Sequence, residues 1–457
     1  MNSPGQRVLF PDLFSKPVQA VFDEPNGTSD GGALLVKAAD RKLALTEALA
    51  GCLLDPRRPD RVRHSVHDLL RQRIYGLALG YEDANDVARI GNDPMHRLLL
   101  DRDPLSGDPL ASQPTLSRFE TSVDRRTAFR LSRRFAEVQL RRMRRRRKNK
   151  PPRRITIDLD PTDDATHGNQ QLTFFSGHYD SWCYLPLLGF VTLDDEPESH
   201  LVAAVLRPGN AGASAGATGV LKRLIRKIRD VFPRTRIRVR LDGGFAGPNM
   251  LDFLEAAKVE YVVGLPKNSR LQQGSGALQG DARAFCERNG YPLPFFGEMR
   301  YAAKSWKEAK RRVVFKAEVT LLENREPKDN PRYVVTNLRH TPENVYAIYC
   351  KRGEIENRIK EIKDGVALGR TSCTGFWANQ LRVILAAAAY VLLQEVRGRL
   401  SRTVLARAQV NRLRLCLLKI GARIECSARR VVVHLAAAHG WQPPWARVAV
   451  ALGATRI

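Results

Sequence analysis

The chain has 457 residues, 43% hydrophobic and 27% charged, which excludes a disordered chain and allows two to four globular domains with a large core. Lys and Arg number 75 against 48 Asp and Glu, and the net charge of +27 points to a polyanionic partner, nucleic acid above all. Seven cysteines without a C-x-x-C pair or a zinc-type His cluster read as reduced thiols of an intracellular protein, and neither a secretion signal nor a membrane-spanning run is expected.

From about residue 30 to 148 apolar residues recur at spacings of 3 and 4, as in "HSVHDLLRQRIYGLALGY", which predicts helices. Within this region "SQPTLSRF" has the look of a turn leading into a DNA-reading helix. Ser112 or Thr115 would cap it, and Ser117 and Arg118 would project outward. The run Arg141 to Arg147, which includes Arg144 and Arg145 and is closed by Pro151 and Pro152, marks a domain boundary and a phosphate-contacting edge. Residues 1–150 are therefore expected to form a helical DNA-binding domain with a basic linker.

After Pro152 the texture changes to short strand-like runs: "ITIDLD", "YLPLLGFVTLDD" and "HLVAAVLRPG". A helical pattern follows in "GATGVLKRLIRKIRDVF", then a strand "RIRVRLDGG", a helix "PNMLDFLEAAK" and a strand "VEYVVGLP". Three strands, helix, strand, helix, strand is the order of a ribonuclease-H-like α/β core. Its first part is expected over 151–268. A β-rich insertion is expected over 269–340, the rest of the core over 341–400, and a basic C-terminal region over 401–457. The longest apolar run, "VILAAAAYVLL", is too short to cross a bilayer.

Period-two alternation in "ITIDLD" puts Thr156, Asp158 and Asp160 on one face of a strand. Asp242 ends the strand "RIRVRLDGG". In "YCKRGEIENRIKEIKD" the residues Arg352, Glu356, Lys360 and Lys363 stand 3, 7, 11 and 14 positions after Tyr349. At about 100° per residue a single helix would put all five on one face. Ile348, Ile355, Ile359 and Ile362 would form a neighbouring apolar stripe. A solvated helix face carries similar charges, so this helix alone decides nothing. Together with two carboxylates at the ends of neighbouring strands, it suggests an acidic cluster for hard cations such as Mg²⁺, which bind oxygen ligands and phosphates.

The spacing Tyr349-x2-Arg352-x3-Glu356-x6-Lys363 resembles the third-acid signature of DDE transposases of bacterial insertion sequences. The stretches "DLDPTDDATHG", "SGHYDSWCYLPLLGF", "LRPGNAGAS" and "LDGGFAGPNMLDFLEAAKVEYVVGLPKN" are similar to the branch called family thirteen-eighty, a relative of family four. The resemblance covers roughly residues 30 to 440. It implies the catalytic, metal-holding acids Asp160, Asp242 and Glu356, with Asp160 chosen over Asp158 because it lies two before Thr162. It implies two Mg²⁺ ions, with Mn²⁺ as a substitute. By the resemblance Tyr349, Arg352 and Lys363 would hold DNA phosphates and Trp306 would stack a base; Lys360, on the same helix face, is a further DNA-binding candidate. The implied activity is cut-and-paste transposition on double-stranded DNA, at terminal inverted repeats and a target, by a homodimer in the bacterial cytoplasm. An inactive transposase-derived DNA-binding protein and a nuclease without strand transfer are the alternatives. Gly369 departs from the pattern, which tends to have an acid there. His167, Asp163 and Asp164 are further candidates beside the metals.

Overall fold

The computed structural model describes residues 7–148, 150–306, 309–321 and 326–455. The chain divides into two compact units. One gathers residues 1–42, 57–117 and 392–457; the other gathers 43–56 and 118–391. The division does not fall at residue 150, and the C-terminal region belongs with N-terminal helices.

The second unit is built on one mixed sheet of eight strands: β1 (Arg154–Pro161), β2 (Leu187–Leu193), β3 (Ser199–Val205), β4 (Arg236–Leu241), β5 (Glu260–Leu265), β6 (Phe295–Tyr301), β7 (Arg311–Ala317) and β8 (Arg332–Thr336). The order across the sheet is β6-β7-β8-β5-β4-β1-β2-β3. The central strands β1, β4 and β5 are parallel; β2 and β3 continue antiparallel on one side, and β8, β7 and β6 on the other. Strands of the expected β-rich insertion widen the sheet. That segment opens with a 21-residue helix, Ser269–Asn289, ahead of its strands. Three glycines and few apolar residues mask it in the sequence, yet Leu271, Ala282 and Cys286 are buried at helical spacing.

Alternation along the strands sorts the two faces. Ile155, Ile157 and Leu159 of β1 join Ile237, Val239 and Leu241 of β4 and Tyr261 and Val263 of β5 in the main core. The helices α1 (Arg125–Arg146), α2 (Ala217–Val231), α3 (Pro248–Ala256) and α4 (Ser269–Asn289) add residues to that core. The intervening residues, Asp158, Asp160, Arg238 and Arg240, face the other way. On that second face, Val262, Val314 and Val334 pack with Val345, Tyr346, Ile348 and Tyr349 of α5 (Pro342–Cys350).

The expected single helix over 349–364 is two. Helix α5 ends at Cys350 and α6 runs Gly353–Val366. Arg352 N–H bonds to Tyr349 O at 2.9 Å and Ile355 N–H to Arg352 O at 2.9 Å, so the backbone tightens to i→i+3 turns at the join. Gly353 sits there, and glycine weakens helix propagation. Helix α6 is held by its apolar stripe, with Ile355, Ile359 and Ile362 buried. Buried Glu361 adds a polar anchor, accepting from Tyr390 Oη at 2.9 Å and from Arg358 at 3.1 Å. Tyr390 lies on the 22-residue helix α7 (Phe376–Arg397). By length and composition α7 meets the requirement for a membrane span, but 94% of its apolar window is buried within the protein, as in a core helix.

In the first unit, helices such as Val66–Leu79 carry the buried residues, as the sequence predicts. Ser65 and Asp68 close a capping box at the start of that helix. Two features there were not legible: a hairpin, Arg7–Phe10 with Val18–Val21, and a short strand Gly27–Thr28 that pairs with Ala422–Cys426. Thr28 lies opposite Ala422, and the chain turns close by at Gly32, where a Cβ would stand 1.9 Å from Leu417 O.

Candidate active site

Asp158 and Asp160 share a face of β1 but have different partners. Asp158 is fully buried, and Arg240 on the adjacent β4 grips it with a two-pronged contact, Nε to Oδ1 at 2.8 Å and Nη2 to Oδ2 at 2.9 Å. Arg240 also donates to Ile348 O at 3.1 Å and so ties α5 to the sheet. The Asp158–Arg240 pair is a closed structural unit. Asp160 lies at the end of β1, 7% exposed, and accepts from Arg352 Nη1 at 2.9 Å. Arg352 Nη2 donates to Glu356 Oε1 at 3.1 Å, one turn into α6. The exposed Glu356 carboxylate and the sheltered Asp160 carboxylate are thus joined through one guanidinium.

Asp242 directly follows β4. Arg240 is in register with Asp158 on the neighbouring parallel strand, and the Asp242 charge reaches Asp160. Its Oδ1 accepts from Gly244 N–H at 2.8 Å, which fixes the tight turn after the strand. Burial pushes the Asp160 carboxyl up to about 7, and the nearby negative charges of Asp242 and Glu356 push the same way while Arg352 opposes them. The three carboxylates therefore act on one another electrostatically. Among the described residues no three His, Cys, Asp or Glu side chains stand as a ready-made metal cage. The group that spans the acids is Arg352.

The remaining side chains line up around these acids. The Tyr349 hydroxyl lies over Gly264 of β5, where any Cβ would meet it at 2.5 Å, so glycine is required for the phenol to seat. Burial and the Asp242 charge raise the Tyr349 phenol, and Arg352 works against them. Lys363 reaches Asp163 Oδ1 at 2.7 Å, and Lys360 is exposed. Buried Asp164 accepts from Thr371 Oγ1 at 2.8 Å, and burial pushes its carboxyl up to about 7. Its Oδ1 would stand 3.4 Å from a Cβ on Gly369, so a carboxylate already lies against the position that departs from the resembling sequences. His167 is exposed on the loop after Ala165.

Trp306 has to be corrected. It is 3% exposed, packed edge-on against Tyr301 at 5.5 Å with Arg311 over its ring at 5.2 Å, so it offers no free face for stacking. Ser117 is half-buried and Arg118 exposed on the helix Gln113–Thr121, and Arg144 and Arg145 are exposed in the last turn of α1. Two residues escaped the sequence reading. Arg240 is one; its signal was the alternation Arg236, Arg238, Arg240 along an otherwise apolar strand. Tyr179 is the other: its phenol is raised by burial and by Asp163, Asp160 and Asp242, which sets it near the acids although it lies on a loop between two short strands.

The sequence model of a family described as "Transposase DDE domain group 1" matches residues 10–456. A search of curated proteins finds no match.

Proposed function

Because this chain belongs to the DDE transposase family, we propose that it binds the ends of an insertion sequence and cuts and rejoins DNA there with Asp160, Asp242 and Glu356. The observation that carries this reading is the placement of Asp160 and Asp242 at the ends of two neighbouring parallel strands, with Glu356 reached through Arg352. The sheet supports a ribonuclease-H-like core: the strands β1, β2, β3, β4 and β5 lie in the order 3-2-1-4-5, with only β2 antiparallel to the rest.

The donor set fits a hard divalent cation. It is all oxygen, and besides burial the charges of Asp242 and Glu356 act on Asp160, with the Arg352 guanidinium as the positive charge between Asp160 and Glu356. Asp160, Asp242 and Glu356 would hold Mg²⁺, or Mn²⁺ in its place; two such ions supply charge for both the attacking and the leaving oxygen of an in-line phosphoryl displacement. The chain's own groups do the rest. Arg352 presents a planar fork suited to a phosphate, Lys363 a point charge, and Tyr349 a seated phenol, so these three would orient the scissile phosphate. Lys360, Ser117, Arg118, Arg144 and Arg145 extend the phosphate contacts along double-stranded DNA. Pairing of two transposon ends calls for a homodimer.

The test is a strand assay with Mg²⁺ on DNA carrying the flanking inverted repeats. Cleavage at the ends followed by joined products supports the full reading. Binding without cleavage would leave a DNA-binding relative, and cleavage without joining would leave a nuclease.

A further inference from the structure

The hairpin Arg7–Phe10 with Val18–Val21 has an apolar face that the described residues leave partly exposed. Val8 lies opposite Ala20 and Phe10 opposite Val18, and the alternation brings Phe22 to the same side. Val8, Phe10, Val18 and Phe22 are 41%, 43%, 36% and 88% exposed. An isolated two-stranded hairpin is marginal in water, and a contiguous apolar patch of this kind marks an interaction surface. Three acids, Asp12 beyond Phe10 and Asp23 and Glu24 after Phe22, outnumber the two cations of the segment, Arg7 and Lys16.

The catalytic unit holds a groove of the opposite character. A cavity of about 790 Å³ lies between α1, the sheet-edge strand β3, α2 and the start of α7. Its floor is apolar, from Val202, Val220, Leu224, Trp377 and the half-exposed Phe129. Its rim carries Arg125, Arg126, Arg130, Arg223 and Arg226. Glu137 is engaged by Arg133, Arg134 and Lys227. Among the described residues Arg125, Arg126, Arg223 and Arg226 form no ion pair. Arg223 lies over the Phe129 ring at 5.3 Å, and burial and the neighbouring Arg226 push its guanidinium down, as for a cation short of counter-charge.

We propose that the apolar face of this hairpin in one molecule docks into the arginine-rimmed groove of a second copy, reciprocally, so that two chains clasp each other by an exchange of arms. Apolar residues meet the apolar floor, and Asp12, Asp23 and Glu24 meet the rim arginines Arg125, Arg126, Arg223 and Arg226. The two contacts are equivalent, as a two-fold dimer requires. The hairpin face offers on the order of 400 Å² of exposed apolar surface, taking roughly 200 Å² for a fully exposed ring. Two such contacts, counted on both partners, reach about 1,600 Å², the size of a stable interface. DNA is the competing occupant, but a phosphate backbone has no use for an apolar floor. The inference goes beyond strand chemistry and does not depend on it.

Sedimentation equilibrium of the full chain, without DNA or metal, tests it. The wild-type chain should dimerise, and more weakly as salt rises. Phe10→Ser with Phe22→Ser, on exposed positions, should weaken the dimer at least tenfold, and so should Arg126→Glu with Arg226→Glu. Mixing the two double variants should restore a heterodimer, because that pair keeps one intact contact. A wild-type chain that stays monomeric overturns the inference. So does a hairpin variant that dimerises like wild type, a mixture no tighter than its parents, or a groove variant that loses DNA affinity alone. Loss of strand cleavage with an intact dimer would count against the proposed function and not against this.

Discussion

Arg240 holds Asp158 through both carboxylate oxygens, at 2.8 and 2.9 Å, with both side chains almost wholly buried. That pair separates two aspartates that alternation in "ITIDLD" leaves equivalent. Asp158→Ala strands a buried guanidinium and is expected to cost about 3–5 kcal/mol of stability, seen in urea unfolding. Asp160→Asn should cost less than about 1 kcal/mol, because Arg352 keeps Glu356, yet should abolish strand cleavage. An unfolding midpoint for Asp158→Ala equal to that of the wild type would return Asp158 to the list of candidate acids.

Metal dependence can be read without turnover. If the three acids hold Mg²⁺ or Mn²⁺, the ion binds the folded chain and raises its melting temperature by several degrees at about 100 times its dissociation constant. Asp160→Asn, Asp242→Asn and Glu356→Gln should each remove most of that rise. Cleavage should fall by more than the ~100-fold that loss of an outer partner typically costs.

Arg352→Ala and Lys363→Ala should lower the saturated cleavage rate by about 100-fold, the scale of a 1 Å misplacement, while weakening DNA binding little. The chain carries many other cations for bulk affinity. A loss of affinity with an unchanged saturated rate would make this face a general DNA surface.

Asp164 provides a pH test apart from the acids. Its folded pKa of about 7 lies above the ordinary carboxylate value. Proton binding at this site therefore favours the folded chain. That stabilisation is complete below about pH 4 and is lost as pH rises through 7, by an amount on the order of 4 kcal/mol. Asp164→Asn keeps an acceptor for Thr371 and should be more stable than wild type at pH 8, with the difference shrinking toward pH 5. Parallel stability curves from pH 5 to 8 would contradict this.

Arg144 and Arg145 are exposed at the end of α1. If they contact phosphates, Arg144→Ala with Arg145→Ala should flatten the plot of log affinity against log salt by about two units. An unchanged slope would remove them from the DNA path.

The core strands were legible because their signals are local. Period two separates Ile155, Ile157 and Leu159 from Asp158 and Asp160, and the burial of the isoleucines agrees. What was not legible depends on distant partners. Nothing near "RRVVFKAEV" says that this strand joins the central sheet through β8. Nothing near Trp306 announces the Tyr301 ring and Arg311 that enclose it. The break between Cys350 and Gly353 was not legible either, and across it Arg352 joins Glu356 to Asp160 by ion pairs rather than by helix geometry.

The pairing of Gly27–Thr28 with Ala422–Arg423 has a consequence for the birth of the protein. At about 5–20 residues per second, the ribosome needs roughly 20–80 s after making Thr28 to supply its partner strand. The unit with the central sheet has all its strands once Thr336 has emerged and can fold while synthesis continues. The first unit must wait, its early helices lacking a clasp until Ala422 and Arg423 have been made. A chain cut between residues 391 and 422 would carry an assembled central sheet and an unfinished first unit, a product open to proteolysis. Folding of the first unit is thus coupled to synthesis of residues about 390 positions downstream of Thr28.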